Sequence, residues 1–257
     1  MPGCTLVVGM NDTRVASNLP AIGGLVLLGG LALALALYFR PLPAFTNPAD
    51  LESDARVTVA STRDGISFKP SSPRGAGLVF YPGARVPPEA YAWLGHFLAL
   101  QGHAVYIARF PLNFAIFASD RALSAFRALP EVAVWAIGGH SQGGAMAASW
   151  LHGWTGSVRG LVLLASWPPD SSSFADSPLR VLSVSASQDG LATPAKIAQT
   201  SRLLPSGAVR MLIEGGNHAG FGTYGIQKGD GVAIISAERQ RKETAEAVSS
   251  FLEALTK

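Results

Sequence analysis

The chain holds one cysteine, Cys4, so it has no intrachain disulfide and no cysteine cluster for a metal. Cys4 also lies too near the start, ahead of the long apolar run, to be a lipoprotein-type cysteine. Charge is scarce as well: only 14% of residues are Asp, Glu, Lys or Arg, the formal net charge is +3, and no Lys/Arg block stands out. That excludes a nucleic-acid surface as a partner. No two histidines have ligand spacing, so neither a metal nor a cofactor is expected. No internal repeat breaks the chain into an array. Apolar residues are abundant, at 48% of 257, and that length suits one large α/β domain with an appendage.

Part of the apolar excess sits near the N-terminus. Residues 1–18 show no periodicity and read as a tail. Leu19 to Phe39 carries no charge, and about twenty such residues suffice to cross a bilayer core as a helix. Tyr38 and Phe39 close the run as interfacial aromatics, before Arg40 and the helix-ending Pro41. Ala32, Ala34 and Ala36 have signal-cleavage spacing but lie inside the run. A single-pass anchor is therefore expected over secretion after cleavage. Arg14 is offset by Asp12 before the run, while Asp50, Glu52 and Asp54 follow it. The balance leans toward an N-in anchor with the catalytic domain outside the cytoplasm. Residues 40–56, with several prolines, read as a tether, and residues 57–257 as the domain.

Within that domain short apolar runs alternate with helical patterns. Strands are expected at 57–60, 66–68, 77–81, 104–108, 132–137, 160–165, 179–185 and 209–213. Helices are expected at 88–101, at 120–129 with Asp120 as its cap, at 144–150, 193–203 and 236–255. Such alternation with short connections implies an α/β fold with a mostly parallel sheet flanked by helices.

One stretch organises the rest. Gly139-His140-Ser141-Gln142-Gly143 lies between a strand and a helix and has the G-x-S-x-G form of a nucleophile elbow. The turn is so tight that Ser141 must take a strained conformation, and side chains at the flanking positions would collide. The Gln142 amide then points where an oxyanion would form. A second donor is the amide of Ala84, after the 77–81 strand, with Gly83 giving room.

Ser141, Asp189 and His218 follow in the order nucleophile, acid, histidine, each just after an expected strand. In a parallel sheet those strand ends share one edge, so the three loops can converge. A serine hydroxyl barely ionises at neutral pH and needs an imidazole as base. A carboxylate on the other ring nitrogen fixes the tautomer. Asp170 is the reserve acid, with Asp176 and Asp230 weaker. His218 is the only histidine after the last strand, so it outranks His96, His103, His140 and His152. His140 is expected to pack beneath the turn.

These segments also resemble a known family. GGHSQGG (138–144), SQDGLATP (187–194) and above all GGNHAGFGTYGIQKGDGVAIIS (215–236) are similar to the α/β-hydrolase fold-5 family, related to dienelactone hydrolases. YPGARVPPEAYAWL and ARFPLNFA resemble its earlier blocks. The resemblance implies an α/β-hydrolase fold, a triad of Ser141, Asp189 and His218, oxyanion donors at Gln142 and Ala84, and an N-terminal membrane segment. Dienelactone hydrolases use a cysteine nucleophile where this chain has Ser141, which shifts the expectation from lactones to esters.

The loop 166–178, with Trp167, is long enough to overhang the site. The Gly-rich stretch 219–231, with Phe221, is expected across its mouth, lining an acyl or alcohol pocket. The whole reads as a membrane-anchored serine hydrolase acting on a small ester-like substrate. An acyltransferase or peptidase with the same triad, or a non-catalytic binding protein of this fold, are the rivals.

Overall fold

The computed structural model describes residues 19–154 and 156–257, with side chains from Leu27 onward. The expected tail over residues 1–18 lies outside the described residues. The chain divides into two compact units, Met1–Arg40 and Pro41–Lys257. In the first, helix α1 (Leu19–Tyr38) runs for 20 residues without a charged side chain. No helix among the described residues is long and apolar enough to cross a membrane. The side chains of residues 19–26, part of the expected span, fall outside that description. The anchor expected over Leu19–Phe39 therefore has no support from the described residues.

The second unit is built on eight strands: β1 (Val57–Ser61), β2 (Gly65–Pro70), β3 (Gly77–Tyr81), β4 (Val105–Ala108), β5 (Trp135–His140), β6 (Val158–Leu164), β7 (Arg180–Ala186) and β8 (Val209–Ile213). They form one sheet in the order β1-β2-β4-β3-β5-β6-β7-β8. β1 with β2 and β2 with β4 are antiparallel, and every other pairing is parallel. The helices are α2 (Ala92–Leu100), α3 (Ala122–Ala128), α4 (Gln142–His152), α5 (Pro194–Thr200) and α6 (Ala237–Ala254).

Side-chain alternation assigns them to two faces. Leu78, Phe80, Val162 and Leu164 pack with Leu94 and Leu98 of α2 and Val248 and Leu252 of α6. Val79, Tyr81, Ile137 and Leu161 pack with Ala122 and Ala125 of α3 and Ala147, Ala148 and Leu151 of α4. The central strands are buried on both faces, which is why they read as continuous apolar runs.

Most element boundaries shift by a few residues from expectation, and two of the shifts have a plain physical reason. β5 runs through Gly138 and Gly139 to His140 instead of stopping at Ile137. A side chain at Gly138 would come within 2.0 Å of the Val162 carbonyl oxygen, so the glycine is a close-packing residue of the strand and no loop signal. Asp120 does not cap the next helix. A 3₁₀ turn at Ser119–Arg121 precedes α3, and the Ala122 amide donates to the Tyr81 hydroxyl at 3.0 Å. A buried tyrosine from β3 does the capping. Elsewhere the caps are local: Thr193 accepts from the Lys196 amide at α5, and Ser236 from the Arg239 amide at α6.

The stretch expected as a tether is docked along part of its length. Leu42 N–H donates to Arg85 C=O at 2.8 Å, Phe45 N–H to Thr223 C=O at 2.6 Å, and the Thr46 hydroxyl to Glu89 C=O at 2.7 Å.

Candidate active site

The C-terminal ends of the parallel strands share one edge, and the site is assembled there. Ser141 connects β5 to α4 with φ 53° and ψ −128°. That left-handed backbone costs a side-chain-bearing residue about 1–3 kcal/mol and persists only where its surroundings impose it. Here they do. A Cβ on Gly139 would lie 2.3 Å from the Tyr81 carbonyl oxygen, and one on Gly143 would lie 2.2 Å from the carbonyl oxygens of both Tyr81 and Pro82. The turn is pressed against the end of β3, and only glycine fits on either side. Ser141 N–H donates to Leu164 C=O at 2.9 Å, and the Ser166 hydroxyl donates to Ser141 C=O at 2.7 Å.

Gln142 begins α4, so its amide belongs to the first turn, which has no intrahelical acceptor. It lines a pocket of about 360 Å³ together with Ser141, Trp167, Pro169, Leu191 and His218. Ala84 follows the end of β3, and its amide makes no hydrogen bond among the described residues. The neighbouring Gly83 amide is already taken by the Tyr91 hydroxyl at 3.2 Å. Ala84 itself is not among the residues lining the pocket.

Asp189 and His218 come together as an almost fully buried pair, with Asp189 Oδ2 2.8 Å from His218 Nδ1. The other carboxylate oxygen accepts from the amides of Leu191 at 2.8 Å and Ala192 at 2.6 Å. Because an ionised carboxylate only accepts, Nδ1 of a neutral ring carries the proton and Nε2 presents its lone pair. Nε2 is buried and has no hydrogen-bond partner, so the Ser141–His218 bond is not made here. Both residues line the same pocket. Such bonds are often long before a substrate fills the site.

His140 lies under the turn, its ring centroid 4.4 Å from that of His218, with Nδ1 2.8 Å from the Tyr91 hydroxyl. Burial, and then the neighbouring His218, hold its pKa well below the usual histidine value. It stays neutral at pH 7, which spares a charge on His218 the repulsion of a second imidazolium.

Three supporting residues escaped the sequence reading. Asp230, ranked there only as a weak candidate acid, accepts the amides of His218 (3.1 Å), Ala219 (2.8 Å), Gly190 (3.2 Å) and Gly231 (2.8 Å). It ties the Asp189 loop to the His218 loop. Gln240 of α6 is completely buried; it accepts the Asn217 amide at 3.0 Å and donates to the Asn217 carbonyl at 2.7 Å. Gly216 and Gly220 make room for it, since a Cβ at either would meet Gln240 at 2.7 and 2.0 Å. Its signal was a lone amide on the apolar face of α6. Tyr91, within the helix expected at 88–101, bridges the Gly83 amide and His140.

Other expectations need correction. Phe221 is fully buried, with its ring 5.6 Å from that of His140, so it packs in the core and does not line the Ser141 pocket. The stretch 219–231 does not form that pocket's mouth; much of it lines a second cavity of about 540 Å³. Asp170, the reserve acid, pairs with Arg202 at 2.7 Å with 80% of its side chain exposed, too solvated to hold a histidine tautomer. Asp176 is exposed. His96 reaches Asp54 at 4.0 Å, His103 lies 3.2 Å from the Ala76 carbonyl oxygen, and the His152 ring meets Phe174. Among the described residues no group of three or more His, Cys, Asp or Glu is placed to hold a metal ion.

Comparison with known proteins places this geometry. A profile described as the alpha/beta hydrolase family matches residues 77–242. No curated protein matches. Among solved structures, a CIB-like hydrolase from Thermoplasma acidophilum is similar with a TM-score of 0.58 at 15% identity, over 76% of this chain and 99% of that one. TT1662 from Thermus thermophilus is similar with a TM-score of 0.57 at 16% identity, over 78% of this chain and 98% of that one. At such identities the likeness is one of fold.

Proposed function

The chain belongs to the alpha/beta hydrolase family, and on that premise we propose that it is a serine hydrolase that cleaves an ester or similar carbonyl substrate through an acyl-enzyme. One observation carries the reading. His218 is bonded to Asp189 at 2.8 Å, its other ring nitrogen is buried and unpartnered, and the residue lines the same pocket as Ser141.

In the proposed reaction His218 Nε2 takes the Ser141 proton as Oγ attacks the carbonyl carbon, and Asp189 stabilises the imidazolium. The amides of Gln142 and Ala84 hold the oxyanion, an interaction worth about 3–4 kcal/mol per donor. Collapse expels the alcohol, which receives the proton from His218. Water then gives its proton to His218 and attacks the acyl carbon, releasing the acid and restoring Ser141. The apolar walls from Trp167, Pro169 and Leu191 favour a modest hydrocarbon acyl or alcohol group beside the carbonyl. A chain-length series of soluble p-nitrophenyl esters tests this. Hydrolysis lost in Ser141→Ala, with Trp167→Ala shifting the preferred length upward, supports it. Equal turnover by wild type and Ser141→Ala contradicts it.

We also propose, from sequence, that Leu19–Phe39 anchors the protein in a membrane with the catalytic domain outside the cytoplasm. The support is in the sequence alone: Leu19–Phe39 carries no charge, closes on Tyr38 and Phe39, and is followed by Arg40. A reporter fused after Lys257 reads the sidedness; recovery of the full chain from the soluble fraction overturns the anchor.

A further inference from the structure

The second cavity sits in a surface that a water-soluble domain does not need. Ile226 is 97% exposed, Val232 84%, Ile234 77% and Phe45 66%. Isolated exposed aliphatic residues are ordinary, but a cluster is not. Three of them belong to one patch: Phe45, Ile226 and Val232 line the same cavity, and Phe45 stands 3.0 Å from where a Cβ of Gly225 would be. Ile234 follows Val232 by two residues. Leu191, which lines the Ser141 pocket, lies 3.1 Å from a Cβ position on Gly229, in the loop between Ile226 and Val232. The one carboxylate in this loop, Asp230, is spent on four backbone amides. Lys228, between the aliphatic residues, has a stem and head suited to the level of lipid headgroups.

The chain's own connection bears on what covers the patch, because it leads back to the segment proposed above as an anchor. The uncharged segment Leu19–Phe39 joins the domain at Pro41, and Leu42 is bonded to Arg85, the residue after Ala84. Phe45 is bonded to Thr223, five residues beyond His218. The connection thus enters at the loops that bracket the proposed site.

We propose that Phe45, Ile226, Val232 and Ile234 insert into the acyl-chain region of a phospholipid bilayer, so that the Ser141 pocket takes its ester substrate from the membrane surface. The substrate class rests on the acyl-transfer reading above; the insertion rests on the anchor reading alone.

Fluorescence separates the two. In a Cys4→Ser background, Ile226→Cys or Ser206→Cys carries a polarity-sensitive fluorophore on the full chain in phosphatidylcholine nanodiscs. Ser206 is exposed and precedes β8, at the opposite edge of the sheet. Lipids brominated on their acyl chains should quench position 226 at least roughly threefold more than position 206. Equal quenching at both positions, or none at 226, overturns the insertion. A label shielded at 226 without lipid quenching, in discs holding two chains, gives the face to a second copy and overturns it too.

A kinetic arm addresses the substrate. Ile226→Ser, Val232→Ser and Ile234→Ser together should cut hydrolysis of a long-chain ester in vesicles roughly tenfold while leaving a soluble short ester unaffected. An unchanged vesicle rate overturns membrane delivery. If wild type hydrolyses neither ester, the acyl-transfer reading fails while the quenching result stands by itself.

Discussion

Around Ser141 the backbone is fixed by hard contact, and around His218 it is fixed by hydrogen bonds from far along the chain. Gly139 and Gly143 press the elbow onto the carbonyl oxygens at the end of β3. The turn therefore has one shape because every other shape collides. The His218 loop has no such mould. It is held through Asp230, twelve residues on, and through Gln240 of α6 at Asn217. The difference teaches that the Ser141 side is rigid by packing, whereas the His218 side depends on polar partners that a single substitution can remove.

The sharpest way to break this contrast is Gly143→Ala. Its methyl must displace the backbone carbonyls of Tyr81, the last residue of β3, and of Pro82, so stability should fall by about 3 kcal/mol in urea denaturation, with activity lost alongside. A variant as stable as wild type would show that the elbow is held by something other than contact. Asp230→Asn probes the other side. One carboxylate oxygen becomes an amide facing backbone N–H donors, so stability should fall by about 2 kcal/mol. The ester kcat/KM should drop roughly thirtyfold, since a misplaced base costs more than the fold does. Activity preserved in the face of that destabilisation would deny Asp230 a positioning role.

The smallest effect is a pH dependence. Burial depresses the pKa values of His140 and His103 in the folded protein from the ordinary 6.5. Below that value the unfolded chain therefore binds more protons than the folded one. Stability contributed by the neutral rings is full above about pH 6.5 and declines as pH falls toward the folded pKa values, by at most about 1.4 kcal/mol per pH unit for each imidazole. Denaturation midpoints at pH 7, 6 and 5 read this slope. His140→Asn should flatten it, and an unchanged slope would mean that His140 takes up its proton in place.

The same contrast explains what was legible in the sequence. The elbow was readable because its physics is local: two glycines about a serine, between an apolar strand and a helix. The order of Asp189 and His218 was readable because parallel strands put their ends on one edge. Asp230 and Gln240 were not, because an aspartate between glycines reads as a turn and a glutamine on a helix as a surface residue. Only the folded chain shows that four amides converge on one and that two glycines are hollowed around the other. Phe221 was misplaced for a similar reason. An aromatic near the histidine suggested a pocket wall, but the 3₁₀ turn at Ala219–Phe221 turns it into the core.

The most direct test is covalent. A fluorophosphonate probe reacts with a serine only where a base and an oxyanion site converge on its hydroxyl. Tandem mass spectrometry of the labelled full chain should find the adduct on Ser141, absent in Ser141→Ala and at least roughly a hundredfold slower to form in His218→Ala. An adduct on another residue, or folded protein that takes up no probe, would contradict the account.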